Sequence, residues 1–278
     1  MSFVNWKELK KIDAHIHILP DEVQEANSDS KDVWTYADIH EYVKIMAVYN
    51  IEKAVVMPLN DPWLMSMEFT VDAVHKNLFE LKKQYPVYAF ADVDVRNSSQ
   101  KTLDAICRAI DDYSLDGIKL HPNNSGMAID DDYNREIFAL AEQKKIPVAI
   151  HSYPNTADDV CAVERIAGIA EKYPETRLIV SHMGAFQWEH LLPLNCYVDM
   201  SAILPDYVRT FGVAKTNGIL RAFGTDRLLF ATDYPDNRHL KPGEIYDSYC
   251  DILNRMDFTR EEAERIAYRN AKEMLNEC

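Results

Sequence analysis

The chain alternates between short apolar segments and segments of helical periodicity along its whole length, and this order constrains the fold more than any other feature. The apolar segments are rich in β-branched residues and end at turn residues, as buried parallel strands do. They cover residues 11–17, 54–58, 87–93, 117–121, 148–151, 178–182, 196–200 and 228–232. Helical periodicity covers residues 36–49, 66–84, 100–113, 134–144, 158–172, 186–191, 207–223, 242–255 and 260–276. Eight consecutive strand–helix units predict a closed (β/α)8 TIM barrel.

Helix start signals agree with this division. Ser98 or Ser99 is expected to cap the third helix, Thr156 the fifth, and Thr259 with Glu262 forms a capping box before the last. The longest segment without either pattern, residues 20–35, is polar and acidic, which favours a solvated excursion over a lid.

A single domain over residues 1–278 accounts for the order of elements. The length of 278 residues is near that of a usual (β/α)8 barrel, and no linker or sequence repeat divides the chain. An open sheet that binds a dinucleotide is disfavoured, because no G-x-G-x-x-G turn follows the first strand.

Charge and composition exclude several classes of partner. The formal net charge of −15 repels nucleic acid and anionic membranes, and the apolar runs are too short to cross a bilayer. The five cysteines show no C-x-x-C spacing, which favours reduced thiols over disulfides or a cysteine zinc site. The first residues lack the features of a signal peptide, so a cytoplasmic location is expected. The expected partner is a small-molecule substrate.

Five of the nine histidines fall at the carboxyl ends of predicted strands. They are His15 and His17 on the first strand, His121 on the fourth, His151 on the fifth and His182 on the sixth. In a (β/α)8 barrel these ends open on one face, where side chains from distant parts of the sequence converge. No site role is expected for those in helices or outer loops, namely His40, His75, His190 and His239.

The histidine pair on the first strand predicts a metal site. His15 and His17 are two residues apart, so strand alternation points both imidazoles to the same side. Asp233 ends the eighth strand, which neighbours the first in a closed barrel, and His151 would supply another nitrogen. Such ligands suit catalytic Zn²⁺, and Mn²⁺, Fe²⁺ or Co²⁺ would also accept them. Asp13, ahead of the pair, either orients a ligand or is a buried partner for a neighbouring strand.

The motifs that carry these residues resemble the amidohydrolase superfamily, and more narrowly the amidohydrolase-related branch that contains aminocarboxymuconate semialdehyde decarboxylase. The matching stretches are Ile12-Asp13-Ala14-His15-Ile16-His17, Asp116-Gly117-Ile118-Lys119-Leu120-His121-Pro122, Ala149-Ile150-His151, Leu178-Ile179-Val180-Ser181-His182-Met183-Gly184 and Leu229-Phe230-Ala231-Thr232-Asp233-Tyr234-Pro235. The resemblance implies one divalent metal ion, usually zinc, held by four residues: His15, His17, His151 and Asp233. It also implies that His182 assists the chemistry on the substrate.

Two features depart from the family pattern. The family often has two glycines after the strand-six histidine, whereas this chain has Gly184 and Ala185. The arginine that binds the substrate carboxylate in the decarboxylase has no counterpart near residues 57–62. Arg96 is an alternative partner for an acidic substrate, although a surface role is favoured for it.

A lysine on the fourth strand raises the question of a second metal ion. In some superfamily members such a lysine is carbamylated and bridges two metals, and alternation places Lys119 and His121 on the inner side of the strand. These two residues are therefore candidates to bind either a second metal ion or the substrate. A second metal ion would be held by Lys119 together with His182. The Lys-x-His-Pro context resembles the branch with one metal, which favours a single ion.

The predicted reaction is hydrolysis of an amide, a lactone or a related C–N or C–O bond by a metal-activated water. Asp233 would take a proton, and His182 would stabilise the developing oxyanion. The alternative is non-oxidative decarboxylation of an unsaturated or aromatic carboxylate. A non-catalytic barrel with a structural metal is a rival interpretation, but a closed structural site has no use for His182.

Aromatic residues in the loops after the strands predict the wall of a substrate pocket. They are Trp63, Tyr153 and Tyr234, with Phe186 and Trp188 nearby in the same kind of loop. Apolar residues expected on exposed helix faces, together with the oligomeric state common in the branch that the chain resembles, indicate a homodimer.

Overall fold

The structure is a computed structural model that describes residues 4–26, 33–59, 70–236 and 241–276. Its strands are β1 Lys11–Ile16, β2 Ile51–Val56, β3 Val87–Ala91, β4 Gly117–Leu120, β5 Val148–Ile150, β6 Leu178–Val180, β7 Tyr197–Asp199 and β8 Leu228–Leu229. Its α-helices are α1 Asp21–Ala26, α2 Ile39–Tyr49, α3 Val71–Gln84, α4 Ser99–Asp111, α5 Pro122–Ser125, α6 Asp132–Lys144, α7 Val163–Lys172, α8 Ile203–Phe223, α9 Pro242–Leu253, α10 Arg260–Glu264 and α11 Asn270–Met274. Val33–Tyr36 is 3-10 helical, and Arg265–Arg269 is a π-helical turn. The segment Ser181–Leu191 contains 3-10 turns and is interrupted by left-handed backbone at residues 182–185.

The strands form one eight-stranded sheet in the order β1 to β8. The pair β1–β2 and the successive pairs from β3 to β7 are parallel. A parallel bridge between Ile16 and Tyr234 joins the segment after β8 to β1. Strands in chain order with a helical segment after each define a (β/α)8 barrel of the TIM type, so the predicted fold class is confirmed.

The chain divides into two compact units. The first contains Met1–Val56 and Asp199–Cys278, and the second contains Met57–Val198. The single domain over residues 1–278 stays a prediction. Within the described ranges, no helix is both long enough and apolar enough to span a membrane.

The first unit is built around the base of β1. Trp6 is fully buried, stacked on Phe230 with ring centroids 6.4 Å apart. Lys11 opens β1 with a fully buried side chain, whose ammonium group donates to the carbonyls of Leu9 at 2.5 Å and Tyr49 at 2.7 Å. Burial disfavours the charged ammonium group and lowers the pKa of Lys11 to about 8. The hydrogen bonds to these carbonyls offset part of this cost.

The second unit holds β3 to β6, and every residue of these four strands is buried. Both faces of each strand are thus covered, as expected for parallel strands in a barrel. Gly117 at the start of β4 pairs with Phe90 of β3, and a Cβ at Gly117 would lie 2.7 to 2.9 Å from atoms of the Phe90 ring. Glycine is required there because the ring lies against the backbone.

Several local predictions differ from the structure. Thr156 does not cap a helix, because Asp159 accepts from the backbone N–H groups of Asn155 and Cys161 and holds this segment as a loop, so that α7 begins only at Val163. Residues 21–26 form α1 inside the segment predicted to be irregular, whose residues 27–32 lie outside the described ranges. Strand β8 has two residues, shorter than predicted. The caps at Ser98 and Thr259 are confirmed.

Acid is expected to destabilise the second unit through His75. This residue of α3 is fully buried, and its Nε2 accepts from the backbone N–H of Asp92 at 2.9 Å. Burial lowers the pKa of His75 from 6.5 to about 4, so between these values the unfolded chain binds a proton that the folded chain does not. The contribution of neutral His75 to the free energy of unfolding is therefore fully present above pH 6.5. It is lost as the pH falls toward 4, by up to about 3 kcal/mol.

Urea unfolding as a function of pH measures this effect. A His75→Gln variant is expected to lose this part of the pH dependence. His190→Gln, a change at an exposed histidine, is the matched control and should keep it. Parallel pH profiles for the wild type and His75→Gln would contradict the assignment.

Candidate metal centre

Two histidines of the first unit converge with one aspartate. The Nε2 atoms of His15 and His17 lie 3.3 and 3.4 Å from Oδ1 of Asp233. Both imidazoles are buried, whereas the Asp233 side chain keeps 22% of its surface exposed. The structure therefore brings three of the four predicted metal ligands together within the first unit.

The backbone explains why these side chains meet. The N–H of Asp233 donates to the carbonyl of His15 at 3.0 Å, and the N–H of His17 donates to the carbonyl of Tyr234 at 2.6 Å. Asp233 adopts a left-handed conformation with φ of 66°, which aspartate tolerates better than most residues. The segment after β8 is thus bonded directly to the strand that carries the histidine pair.

The donor set fits a divalent ion. Ligand atoms about 2.0–2.1 Å from a tetrahedral ion lie about 3.3–3.4 Å from one another, which matches the separations from Asp233 Oδ1 to the two imidazoles. The ring of His15 also has a carboxylate at each nitrogen, Asp199 at Nδ1 and Asp233 at Nε2. A neutral imidazole that donates from Nδ1 to Asp199 directs the lone pair of Nε2 toward Asp233, and a cation between these two acceptors would suit both.

Asp13 is a fully buried residue of β1, two positions before His15. Its Oδ1 accepts from the backbone N–H groups of His15 at 3.3 Å and Thr232 at 3.1 Å. Its Oδ2 accepts from the hydroxyls of Thr232 at 2.6 Å and Tyr246 at 2.5 Å. Burial raises the pKa of Asp13 to about 7, against these hydrogen bonds, which lower it. Of the two interpretations left open, the buried partner of a neighbouring strand describes these contacts best.

A second histidine cluster lies in the second unit. Nε2 of His182 is 3.0 Å from Nδ1 of His151, and the rings of His121 and His151 are stacked with centroids 3.7 Å apart. His121 also accepts at Nδ1 from the backbone N–H of Asn124 and so caps α5. The ring of Tyr153 lies 5.8 Å from that of His182. The roles proposed for these histidines from the resemblance stay predictions.

A run of left-handed backbone holds His182. His182, Met183 and Gly184 have φ values of 58°, 51° and 66°, and Ala185 follows with φ of 46° and ψ of −126°. Such conformations cost about 1–3 kcal/mol each at residues other than glycine and cluster at functional sites. The departure from the family's two glycines thus falls on Ala185, whose conformation suits glycine.

The two positions after Met183 are expected to respond in opposite ways to a methyl group. A Cβ at Gly184 would lie 2.6 Å from Cγ2 of Val163 and 2.9 Å from Cδ1 of Leu191. Gly184→Ala should therefore lower the free energy of unfolding by about 2–4 kcal/mol. Ala185→Gly relieves strain but loses a buried methyl, and should change it by less than about 1 kcal/mol.

Urea unfolding of both variants checks this pair of expectations. Ala185→Gly is the matched control, because it alters the same turn without adding an atom. Wild-type stability in Gly184→Ala would show that the turn is not constrained as described.

The remaining candidates differ in their surroundings. Lys119 is fully buried, and its Nζ donates to Oγ of Ser181 at 3.3 Å. Arg96 binds both carboxylate oxygens of Asp94 at 2.8 Å and is half exposed, in agreement with the surface role. Whether Lys119 or His121 holds a second metal or a substrate stays a prediction.

The predicted aromatic wall is only partly described. Tyr234 is fully buried against Tyr42, and its hydroxyl donates to the carbonyl of Tyr36, which describes a packing residue. Phe186 is exposed, and Trp63 lies outside the described residues, as does His239.

Two residues that contact the candidate metal centre were not predicted from the sequence. Asp199, the last residue of β7, has Oδ2 3.1 Å from Nδ1 of His15, and the Ser201 hydroxyl is also 3.1 Å from that nitrogen. A signal was present, because Asp199 is a charged residue inside the apolar segment 196–200.

The chain belongs to the amidohydrolase family, whose sequence model matches residues 12–276. A putative amidohydrolase from Staphylococcus aureus has a similar structure, with TM-score 0.73, 19% identity and coverage of 96% of this chain and 100% of that chain. The 2,6-dihydroxybenzoate decarboxylase from Rhizobium gives TM-score 0.70, 17% identity, and coverage of 96% and 99%. A dihydroxybenzoic acid decarboxylase from Polaromonas sp. JS666, with bound manganese and the inhibitor 2-nitroresorcinol, gives TM-score 0.72, 16% identity, and coverage of 96% and 97%.

At these identities the likeness to solved structures shows the fold. A comparison of the sequence with curated proteins finds no match. Family membership and the cluster of His15, His17 and Asp233 together define an enzyme of the amidohydrolase superfamily that uses a divalent metal ion.

Proposed function

We propose that this enzyme is a non-oxidative decarboxylase that uses a divalent metal ion to remove the carboxyl group of an aromatic or unsaturated acid. The cluster of His15, His17 and Asp233 carries the proposal, because it gathers two imidazole nitrogens and one carboxylate oxygen around one point. Fold neighbours that act as decarboxylases favour this reaction over hydrolysis, which was the first expectation from the sequence.

The proposed ligands are Nε2 of His15, Nε2 of His17 and Oδ1 of Asp233, with His151 added on the family resemblance. Imidazole and carboxylate groups accept both Zn²⁺ and Mn²⁺, and manganese is bound in the Polaromonas decarboxylase. When bound, the ion would supply positive charge that polarises a substrate oxygen and so weakens the C–C bond to the carboxyl group that is lost as CO₂.

The reaction also needs a proton. Loss of CO₂ breaks one C–C bond and leaves its electron pair on the carbon, which must then take up a proton. Asp233 suits this transfer, because its carboxylate is partly exposed while the imidazole of His15 is almost completely buried. His182, assigned from the resemblance, would bind the substrate by a hydrogen bond from its ring.

Hydrolysis is the second candidate. It is supported by the family and by the likeness to the putative amidohydrolase of Staphylococcus aureus. The same residues would serve it, with Asp233 taking a proton from the attacking water and returning it to the leaving group as the C–N or C–O bond breaks.

A product assay separates the two reactions. The metal-loaded enzyme is incubated with 2,6-dihydroxybenzoate and related aromatic acids that carry ¹³C in the carboxyl group, and in parallel with a panel of lactones and amides. The proposal expects release of ¹³CO₂ that stops on chelation and returns with Mn²⁺ or Zn²⁺. A His15→Ala variant is the matched inactive control. Turnover of lactones or amides without any ¹³CO₂ would overturn the decarboxylase and support the hydrolase.

A further inference from the structure

A buried carboxylate, that of Asp199, contacts His15, the first histidine of the proposed metal centre. Asp199 is fully buried, and its Oδ2 lies 3.1 Å from Nδ1 of His15, the ring nitrogen opposite the one that faces Asp233. Asp199 is therefore placed to act on the ring of His15 from the side away from the three gathered ligand atoms.

Ser201 binds the second oxygen of Asp199. Oδ1 accepts from the backbone N–H of Ser201 at 3.1 Å, and the Ser201 hydroxyl also donates to it. Together these two hydrogen bonds fix the plane of the carboxylate relative to the imidazole. Oδ2 is left directed at His15.

We propose that Asp199 is a positioning residue that sets the tautomer and the orientation of His15 for metal binding. An ionised carboxylate at Nδ1 can only accept, so the ring proton lies on Nδ1, and the lone pair of Nε2 is directed toward the metal site. The same hydrogen bond resists rotation of the ring. This inference rests on the proposed metal site.

A purely structural role makes a different prediction. If Asp199 only completed a buried polar cluster, its loss would lower stability and leave the metal affinity of the folded protein unchanged. A positioning role instead lowers the affinity, because groups that orient a ligand typically contribute about 10- to 100-fold.

The experiment measures metal affinity of the full chain by competition with a chromogenic chelator, using Zn²⁺ and Mn²⁺. Asp199→Ala is expected to weaken binding about 10- to 100-fold, and Asp199→Asn less, since its amide oxygen still accepts from Nδ1–H. Nitrogen-15 NMR of the histidine rings should show Nδ1 protonated in His15 of the wild type, and a mixture of tautomers in Asp199→Ala.

The matched control is Asn270→Ala. The buried Asn270 amide in the same unit donates to the carbonyls of Thr225 at 2.8 Å and Leu228 at 2.7 Å, so its loss destabilises the fold without touching His15. Its metal affinity should stay within about twofold of the wild type. If Asp199→Ala does not fold, the Asp199→Asn affinity and tautomer decide.

Each outcome has a distinct meaning. Unchanged affinity and tautomer in both Asp199 variants, with a wild type that binds metal, would overturn the positioning role alone. A wild type that binds neither ion would overturn the metal site and, with it, this inference.

Discussion

Replacing His17 with glutamine is expected to weaken the binding of Zn²⁺ or Mn²⁺ by at least about two orders of magnitude. Nε2 of His17 is one of the three proposed ligand atoms in the first unit, 3.4 Å from Asp233 Oδ1. An amide of similar size is a far poorer ligand than imidazole for these ions. Removal of a direct ligand should cost more than removal of a group that merely orients one, for which about 10- to 100-fold is typical. Competition with a chromogenic chelator gives the affinity.

His40→Gln provides the matched control for this prediction. His40 is exposed on α2 in the same unit, and the change is chemically identical. It should bind metal as the wild type does. An affinity of His17→Gln within about threefold of the His40→Gln value would remove His17 from the metal centre.

Asp233→Asn is expected to reduce turnover by about 10²- to 10⁴-fold even at saturating metal, in either of the two proposed reactions. Asparagine keeps the size of the side chain and tolerates the left-handed backbone of Asp233, whose φ is 66°. It cannot hold or release the proton that the reaction requires, a contribution of this size for a positioned acid or base. The measurement is kcat at several metal concentrations, with a thermal melt to confirm the fold.

The control for Asp233→Asn is Asp251→Asn, the same change at an exposed residue of α9 in the same unit. It should leave turnover and melting unchanged. If Asp233→Asn with bound metal keeps more than about a tenth of the wild-type kcat, Asp233 is not the proton carrier.

Most of the fold could be predicted from the sequence because segments of strand and helix periodicity alternate over most of the chain. The ends of elements were less accessible. Residues 158–162 carry helical periodicity, but the Asp159 side chain binds backbone N–H groups and keeps them out of α7. Similarly, α1 is a short helix in a polar segment, and its hydrophobic pattern does not predict a helix.

The candidate metal centre was predictable to the extent that it depends on strand ends. His15 and His17 share one strand, and barrel closure places the segment after β8 beside them, so Asp233 could be found from topology. Asp199 was not predicted because its place beside the candidate site depends on a side-chain contact with Nδ1 of His15, and no spacing rule predicts that contact. The left-handed turn at His182 was not predicted either, because non-glycine residues adopt this conformation and Gly184 is packed closely against Val163 of α7, a contact distant in sequence.

The metal content of the purified enzyme tests the central claim most directly. Elemental analysis by mass spectrometry is applied to the wild type and to a His15→Ala/His17→Ala double variant, each also assayed before and after chelation. We expect about one divalent ion per wild-type chain, loss of activity when it is removed, and none in the folded double variant. A wild type that carries no metal and keeps its activity through chelation, or a double variant that retains its ion, would contradict the assignment of His15, His17 and Asp233 as a metal centre.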